Sequence, residues 1–449
     1  MTEKRAFVCQ ECGYVHPQWL GKCPNCGNWG TMVEESPSFK KVKPQEQVRS
    51  YILQGEDFEE QRIRTSFEEF NRVLGGGIVE GSVILLGGAP GMGKSTLVLQ
   101  ILDDLASQGV KVLYCSSEES IKQIRSKLKR LGGRSSGFLG LSTSYVDDLI
   151  EEFKSHKPRV IVLDSLQASS VREITSPSGS IVQVREVTSR LIKLAKGEGV
   201  AVIIIGHITK EGIIAGPKLI EHLVDVVLYF EQRQDSPFRI LRAVKNRFGS
   251  TNEIGVFEMA EKGLREVKNP SEIFLAERPQ GVPGSVVMPA IEGTRPLLVE
   301  VQALVAPSYG SWRRTAMGID YNRLLLLVGI IEKRMGLDLS HRDVFVNVVG
   351  GLWIEEPAVD LAVITAIASS HLDKVFPSDT VVFGEVGLAG EVRSVLYAKE
   401  RLEEAKRLGF KKAIIPRANL KSLKREMELF GIREIREILS FLGRKDLRS

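Results

Sequence analysis

Apolar residues in this chain gather in short aliphatic runs separated by amphipathic stretches. The runs at 83–86, 110–115, 160–163, 200–205 and 224–230 are of this kind, and the spacing of Leu97, Leu99, Ile101, Leu102 and Leu105 between the first two predicts a helix. A strand that is apolar on both faces is covered on both faces, and helices between such strands form the crossovers of a parallel sheet. The stretch 61–268 is therefore expected to be an α/β domain with a mostly parallel sheet.

The pattern fades on either side of it. Residues 34–60 are polar and charged, without a sustained period, and read as a linker. A second linker is expected over 269–289, from Asn269-Pro270 through Pro289. Beyond it, 290–449 mixes predicted strands (297–306, 344–349, 381–385) with predicted helices (322–335, 358–369, 399–408), as an α+β domain does. Residues 1–33 form a separate small module. There is no short repeat and no low-complexity tract.

Bulk properties narrow the class. A length of 449 residues fits about three folding units at roughly 150 residues each. The net charge of +5, from 61 basic and 56 acidic residues, permits nucleic-acid binding without identifying it. No apolar run follows the N-terminal Met1-Thr2-Glu3-Lys4-Arg5, and the longest apolar stretch, 324–331, is too short to cross a bilayer. A soluble, cytoplasmic protein with no membrane partner is expected. In that reducing compartment clustered cysteines are better read as metal ligands than as disulfides.

Four of the five cysteines fall in the first 26 residues, as Cys9-x-x-Cys12 and Cys23-x-x-Cys26. Two residues between sulfurs let one turn present both thiolates to a single ion, and two such turns complete a tetrahedron around zinc at about 2.3 Å. Four thiolates leave no open coordination position, so the site is structural, a C4 zinc-ribbon-like module; a redox dithiol is the competing reading. Cys115 is expected to be plain core. Trp19 and Trp29 either pack over the turns or stack on a partner.

The strongest chemical signal follows the first aliphatic run. Gly88-Ala89-Pro90-Gly91-Met92-Gly93-Lys94-Ser95-Thr96 is G-x-x-x-x-G-K-[ST] between a predicted strand and a predicted helix. Glycines let backbone N–H groups wrap the phosphates of ATP, and the helix N-terminus adds a favourable dipole. Lys94 would reach the β- and γ-phosphates, and Ser95 would ligate Mg²⁺. The run at 160–163 delivers Asp164 at a strand end, where a carboxylate can hold the magnesium shell. Glu118 and Glu119 follow the second strand; one would orient the attacking water, the other complement the dipole of the next helix.

Gly75-Gly76-Gly77-Ile78 with Gly81, the phosphate loop and Asp164 resemble the RecA-like recombinase and helicase ATPase core. With the cysteine module (Trp19, Gly21, Pro24, Trp29) and the segment Lys245-Asn246-Arg247-Phe248-Gly249, the chain resembles the bacterial RadA (Sms) family of DNA repair proteins over nearly its whole length. The resemblance implies that Glu118, the first of the acidic pair, activates water. It implies that His207, after the run at 200–205, senses the γ-phosphate, where recombinases usually carry an amide. Lys245 and Arg247 would reach a neighbouring subunit's nucleotide as arginine fingers do; plain surface solvation is the alternative. DNA contacts are implied at 168–181, with Arg172, and 209–220, with Lys210 and Lys218, giving salt-sensitive binding indifferent to base sequence.

Gly350-Gly351-Leu352-Trp353-Ile354-Glu355-Glu356-Pro357-Ala358-Val359-Asp360 and Gly384-Glu385 through Lys399 resemble the proteolytic domain of Lon. That peptidase uses a Ser nucleophile and a Lys base. Here Ala358 matches the serine and Lys399 the lysine, and a methyl group cannot attack a carbonyl, so no peptidase activity is expected. Ser369 and Ser370 do not restore the dyad. The implied function is a DNA-dependent ATPase that processes recombination intermediates and promotes branch migration. It would act as a hexameric ring on single-stranded and branched DNA beside a RecA-type recombinase. The rival readings are an ATP-dependent Lon-type protease and a DNA-independent RecA-fold signalling ATPase.

Overall fold

The computed structural model describes residues 6–9, 14–25, 27–35, 61–133, 137–207, 219–232, 238–251, 253–310, 312–423 and 427–443. At the N-terminus β1 (Ala6–Cys9), β2 (Val15–His16) and β3 (Met32–Glu35) pair antiparallel in the order β2-β1-β3. The Cys9 N–H donates to the Tyr14 carbonyl at 2.9 Å, and the Cys23 N–H to that of Asn28 at 2.9 Å. Among the described residues of this module, Cys9, Cys23 and Met32 form one buried cluster.

Next, α1 (Glu68–Val73) lies between β4 (Arg62–Ile63) and β5 (Ile78–Val79), which pair with each other. The chain then alternates as the aliphatic runs predict: β6 (Val83–Gly87), α2 (Lys94–Ser107), β7 (Val112–Ser116), α3 (Ile121–Arg130), β8 (Phe138–Ser142), α4 (Val146–His156), β9 (Val160–Asp164), α5 (Ile181–Glu198), β10 (Ala201–Ile205), α6 (Leu219–Leu223) and β11 (Val226–Glu231). Three antiparallel-type strands close the domain: β12 (Phe238–Asn246), β13 (Ile254–Ala260) and β14 (Gly263–Glu266). The sheet order is β14-β13-β12-β11-β6-β10-β9-β7-β8, parallel from β11 through β8.

Alternate residues of one strand serve opposite faces. Ile84 and Leu86 join α2 in one core, and Val83 and Leu85 join Val184, Val187 and Leu191 of α5 in the other. Each such side chain contributes about 1.5–3 kcal/mol when fully buried, which is why these strands have no polar face. The register places Leu86 beside Ile205, Ile205 beside Asp164, and Asp164 beside Ser116. Every residue that follows these positions therefore emerges at the same, C-terminal edge of the sheet. Helices α3 and α5 are capped by Ser120 and Ser180, whereas α2 has Gly93 at its N-cap and no side-chain cap, leaving its first N–H groups for another acceptor.

From Val267 onward the chain forms a second compact unit. It contains α7 (Pro270–Leu275), β15 (Ser285–Glu292), β16 (Arg295–Pro307), β17 (Arg314–Met317), α8 (Tyr321–Ile330) running into a π-helical turn, β18 (Arg342–Val348), α9 (Asp360–His371), β19 (Thr380–Val382), the short pair β20 (Glu385–Val386) and β21 (Val392–Arg393), α10 (Ala398–Arg407), β22 (Lys412–Pro416), β23 (Glu428–Ile432) and α11 (Ile438–Phe441). Its mixed sheet has the order β17-β18-β16-β15-β19-β22-β23.

The stretch 269–289, expected as a linker, instead contains α7 and most of β15, which lies between β16 and β19. Pro289 made a central strand improbable from sequence, because proline cannot donate to a ladder. The strand tolerates it because β15 meets β19 only at Val287–Val381, and the Pro289 carbonyl is taken by the guanidinium of the buried Arg401 at 2.5 Å. No helix among the described residues is long and apolar enough to cross a membrane.

Candidate active site

The loop after β6 is shaped by its glycines. A Cβ on Gly88 would lie 2.5 Å from the Phe230 carbonyl oxygen of β11, and Gly91 and Gly93 have φ of 79° and 97°, the left-handed region that side chains resist. Behind the loop, Arg239 of β12 donates from Nε to the Met92 carbonyl at 2.9 Å. Lys94, the first residue of α2, is buried; its Nζ donates to the carbonyls of Gly88 at 2.7 Å and Ala89 at 2.9 Å. Burial pushes its pKa down to about 8, opposed by the negative charges of Asp164 and Glu118.

The acidic residues come from the strands beyond. Asp164 ends β9 and accepts a 2.5 Å hydrogen bond from the Tyr114 phenol of β7 on Oδ2. Burial, then Asp164, raise the Tyr114 pKa far above its ordinary value, so the phenol stays protonated. Past the end of β7, the Glu118 carboxylate accepts from the Ser165 hydroxyl and stands 3.8 Å from His207 Nε2, while His207 Nδ1 is 3.5 Å from Lys94 Nζ. Glu119 turns away into an ion pair with Lys127. Lys94, Glu118, Asp164 and His207 are thus brought together, and of the two glutamates Glu118 is the one facing the centre. Ser95 hydroxyl and Asp164 carboxylate are hard oxygen donors on adjoining elements, a set that fits Mg²⁺.

Tyr114 and Gln167, like Ser165, were not foreseen. Tyr114 gave only the signal of a tyrosine inside an aliphatic strand. Gln167 bonds the His207 main chain twice, accepting from its N–H at 3.2 Å and donating to its carbonyl at 3.2 Å, so the segment after β9 is tied to the end of β10.

Comparison with known proteins places this arrangement. Residues 49–212 match the AAA domain family, residues 7–34 the rubredoxin metal binding domain, and residues 328–419 the subunit ChlI of Mg-chelatase. The DNA repair protein RadA of Bacillus subtilis is 49% identical, covering 97% of this chain and 98% of its own. RadA of Halalkalibacterium halodurans is 48% identical over 98% and 99%, and that of Listeria monocytogenes 47% over 96% and 97%. The chain belongs to the RadA family of DNA repair proteins. A solved KaiC-like protein from Pyrococcus horikoshii is 19% identical and aligns with 46% of this chain and all of its own at a TM-score of 0.38, too low to carry weight.

This RadA-family chain therefore carries a zinc ribbon, a RecA-like P-loop ATPase domain and a Lon-like C-terminal region. In the zinc ribbon, Cys9 and Cys23 share one buried cluster, a placement that fits thiolate ligands; Cys12 and Cys26 lie outside the described residues.

Other predicted residues stand apart from the cradle. β12 runs antiparallel to β11, so its end pairs with the start of β11, placing Lys245 and Arg247 at the opposite edge of the sheet from the chain's own phosphate loop. There Lys245 donates to the carbonyls of Glu221, His222 and Val224 at 2.8, 2.9 and 2.8 Å, using all three ammonium hydrogens to close the end of α6. Arg247 pairs with the buried Asp225 at 3.2 Å, which also holds Lys196 at 2.8 Å. Arg172 lies over the Tyr145 ring and pairs with Asp148 at 2.6 Å, so its charge is locally balanced. Lys210 and Lys218 lie outside the described residues.

In the Lon-like region of this family member, Ala358 is buried in a 3-10 turn. The turn is clamped at both ends. Glu356 pairs with Arg401, whose Nη1 donates to it at 2.9 Å, and the fully buried Asp360 pairs with Arg323 through a 2.8 Å Nε bond. Lys399 is exposed and faces Glu403 at 3.6 Å. The Ser369 hydroxyl is occupied by backbone, accepting from Gly284 N–H at 2.9 Å and donating to Lys374 at 2.5 Å.

Proposed function

We propose that this RadA-family protein is a DNA-dependent ATPase that processes homologous-recombination intermediates, driving branch migration as a hexameric ring on single-stranded and branched DNA alongside a RecA-type recombinase. One observation carries the reading: Lys94, Glu118, Asp164 and His207 converge at the sheet edge where β9 and β10 end, and the candidate DNA segments 168–181 and 209–220 follow those two strands in the chain. Each candidate DNA segment thus follows a residue of the hydrolysis site in the chain, one Asp164 and the other His207.

The backbone N–H groups from Gly88 to Thr96 hold the phosphates of ATP, and Lys94 turns from the Gly88 and Ala89 carbonyls towards the β- and γ-phosphates. Ser95 and Asp164 hold Mg²⁺, which when bound offsets phosphate charge and orients the transferred group. Glu118 accepts a proton from the attacking water, oriented by Ser165. His207, between Lys94 and Glu118, responds to the γ-phosphate, and Gln167 links that response to the segment bearing Arg172; Lys210 and Lys218 follow His207 in the chain. Lys245 and Arg247, far from their own cradle, act on a neighbouring subunit's nucleotide, which requires Lys245 to leave α6. Cys9, Cys12, Cys23 and Cys26 hold zinc. The Lon-like region, without a hydroxyl at Ala358, serves as a platform for assembly and DNA rather than as a peptidase.

The test is ATP turnover by the full chain with and without single-stranded DNA, for wild type and Lys94→Ala. Stimulation by DNA that weakens with salt and vanishes in Lys94→Ala is expected. Turnover indifferent to DNA would assign a signalling ATPase instead.

A further inference from the structure

Tyr114 occupies a place in the core that a phenylalanine would fill equally well. Its ring is 1% exposed in the cluster between the sheet and α2, with Phe138 beside it at 6.4 Å between centroids. Its backbone pairs with Val162, two residues before Asp164 and on the same face of the sheet. Two residues along a strand span about 6.6 Å, and a tyrosine leaning along the strand covers that distance. The phenol therefore arrives at the rim, close to Ser95, and donates to Asp164 Oδ2 at 2.5 Å. A buried tyrosine needs some partner for its hydroxyl, and backbone carbonyls commonly serve. Here the partner is a carboxylate of the nucleotide site, at the end of β9.

We propose that Tyr114 is a positioning residue whose phenol holds the Asp164 carboxylate in one fixed orientation towards Ser95, so that the magnesium-binding pair is set before nucleotide arrives. The proposal rests on the reading of Ser95 and Asp164 as the magnesium pair. The phenol spends its hydrogen on Asp164, and so ties the end of β9, which bears the carboxylate, to β7. A side chain beyond the ligands that orients them typically changes metal affinity by about 10–100-fold when it is removed.

The test uses the full chain and a fluorescent ATP analogue, titrated with Mg²⁺ and, separately, in excess EDTA. For Tyr114→Phe the magnesium concentration that half-completes the tightening of nucleotide binding should rise by about tenfold, while affinity in EDTA stays at the wild-type value. Phe138→Leu disturbs the ring's packing and spares the phenol; it should leave the magnesium midpoint in place. An unmoved midpoint in Tyr114→Phe overturns the proposal, as does an equal loss of affinity in EDTA or an equal shift in Phe138→Leu, since these make the ring a packing residue only. If wild type itself shows no magnesium-dependent binding, the reading of the cradle fails and not merely the role of Tyr114.

Discussion

Replacing each of two adjacent glutamates by glutamine separates geometry from sequence most sharply. Glu118 and Glu119 are indistinguishable by composition, yet the first faces Ser165 and His207 and the second pairs with Lys127. In Glu118→Gln the amide keeps the shape and can still accept from Ser165, but cannot take a proton from water. A positioned base contributes about 10²–10⁴-fold, so turnover should fall by that factor, equivalent to roughly 3–5 kcal/mol in the barrier. Nucleotide affinity should change little. Glu119→Gln loses one ion pair whose side chains are 30% and 35% exposed. Such a pair is worth at most about 1 kcal/mol of stability and nothing in the chemical step, so turnover should stay within about threefold of wild type. Single-turnover hydrolysis with saturating single-stranded DNA, beside fluorescent-nucleotide affinity, measures both. Full activity in Glu118→Gln, or an equal loss in Glu119→Gln, refutes the assignment.

Further outcomes follow from the same geometry. With the Lys94 pKa lowered to about 8 in the free protein, phosphate binding should restore its charge; at about pH 8 nucleotide binding should take up roughly half a proton, more at higher pH and almost none near pH 6, read by calorimetry in buffers of different ionisation enthalpy and absent in Lys94→Ala. Arg401→Ala strands the Glu356 carboxylate and the Pro289 carbonyl, and should lower the stability of the C-terminal unit by about 3–5 kcal/mol in a denaturant titration. Ala358→Ser should create no casein-cleaving activity, because Lys399 is 72% exposed and faces Glu403.

Much of this was legible because burial leaves a record in composition. Strands such as β6, β9 and β10 are covered on both faces, so every residue must be aliphatic, and their ends locate Gly88, Asp164 and His207 within a residue or so. The edge strand β8 escaped notice because it is half exposed, with Gly140 in its middle. β15 was hidden by Pro289, whose missing donor costs nothing because β15 meets β19 only at Val287–Val381, and whose carbonyl is satisfied by Arg401, a residue over a hundred positions away in the chain. Tyr114 and Gln167 were invisible as functional residues for a related reason. Their roles consist of partners brought together by sheet register, and no local spacing encodes register between strands separated by whole helices. The same holds for Lys245 and Arg247, whose motif marks them while only the antiparallel turn of β12 shows that they leave their own cradle behind.

The central claim is that hydrolysis at the Gly88–Thr96 loop moves the protein along DNA. Displacement of streptavidin from a biotin-ended single strand tests it directly, comparing wild type with Glu118→Gln after both are shown to bind the strand. Wild type should clear the block with ATP and fail with a non-hydrolysable analogue, and Glu118→Gln should fail with either. Clearance that continues without hydrolysis, or none by a wild type that turns over ATP on the same strand, would contradict the account.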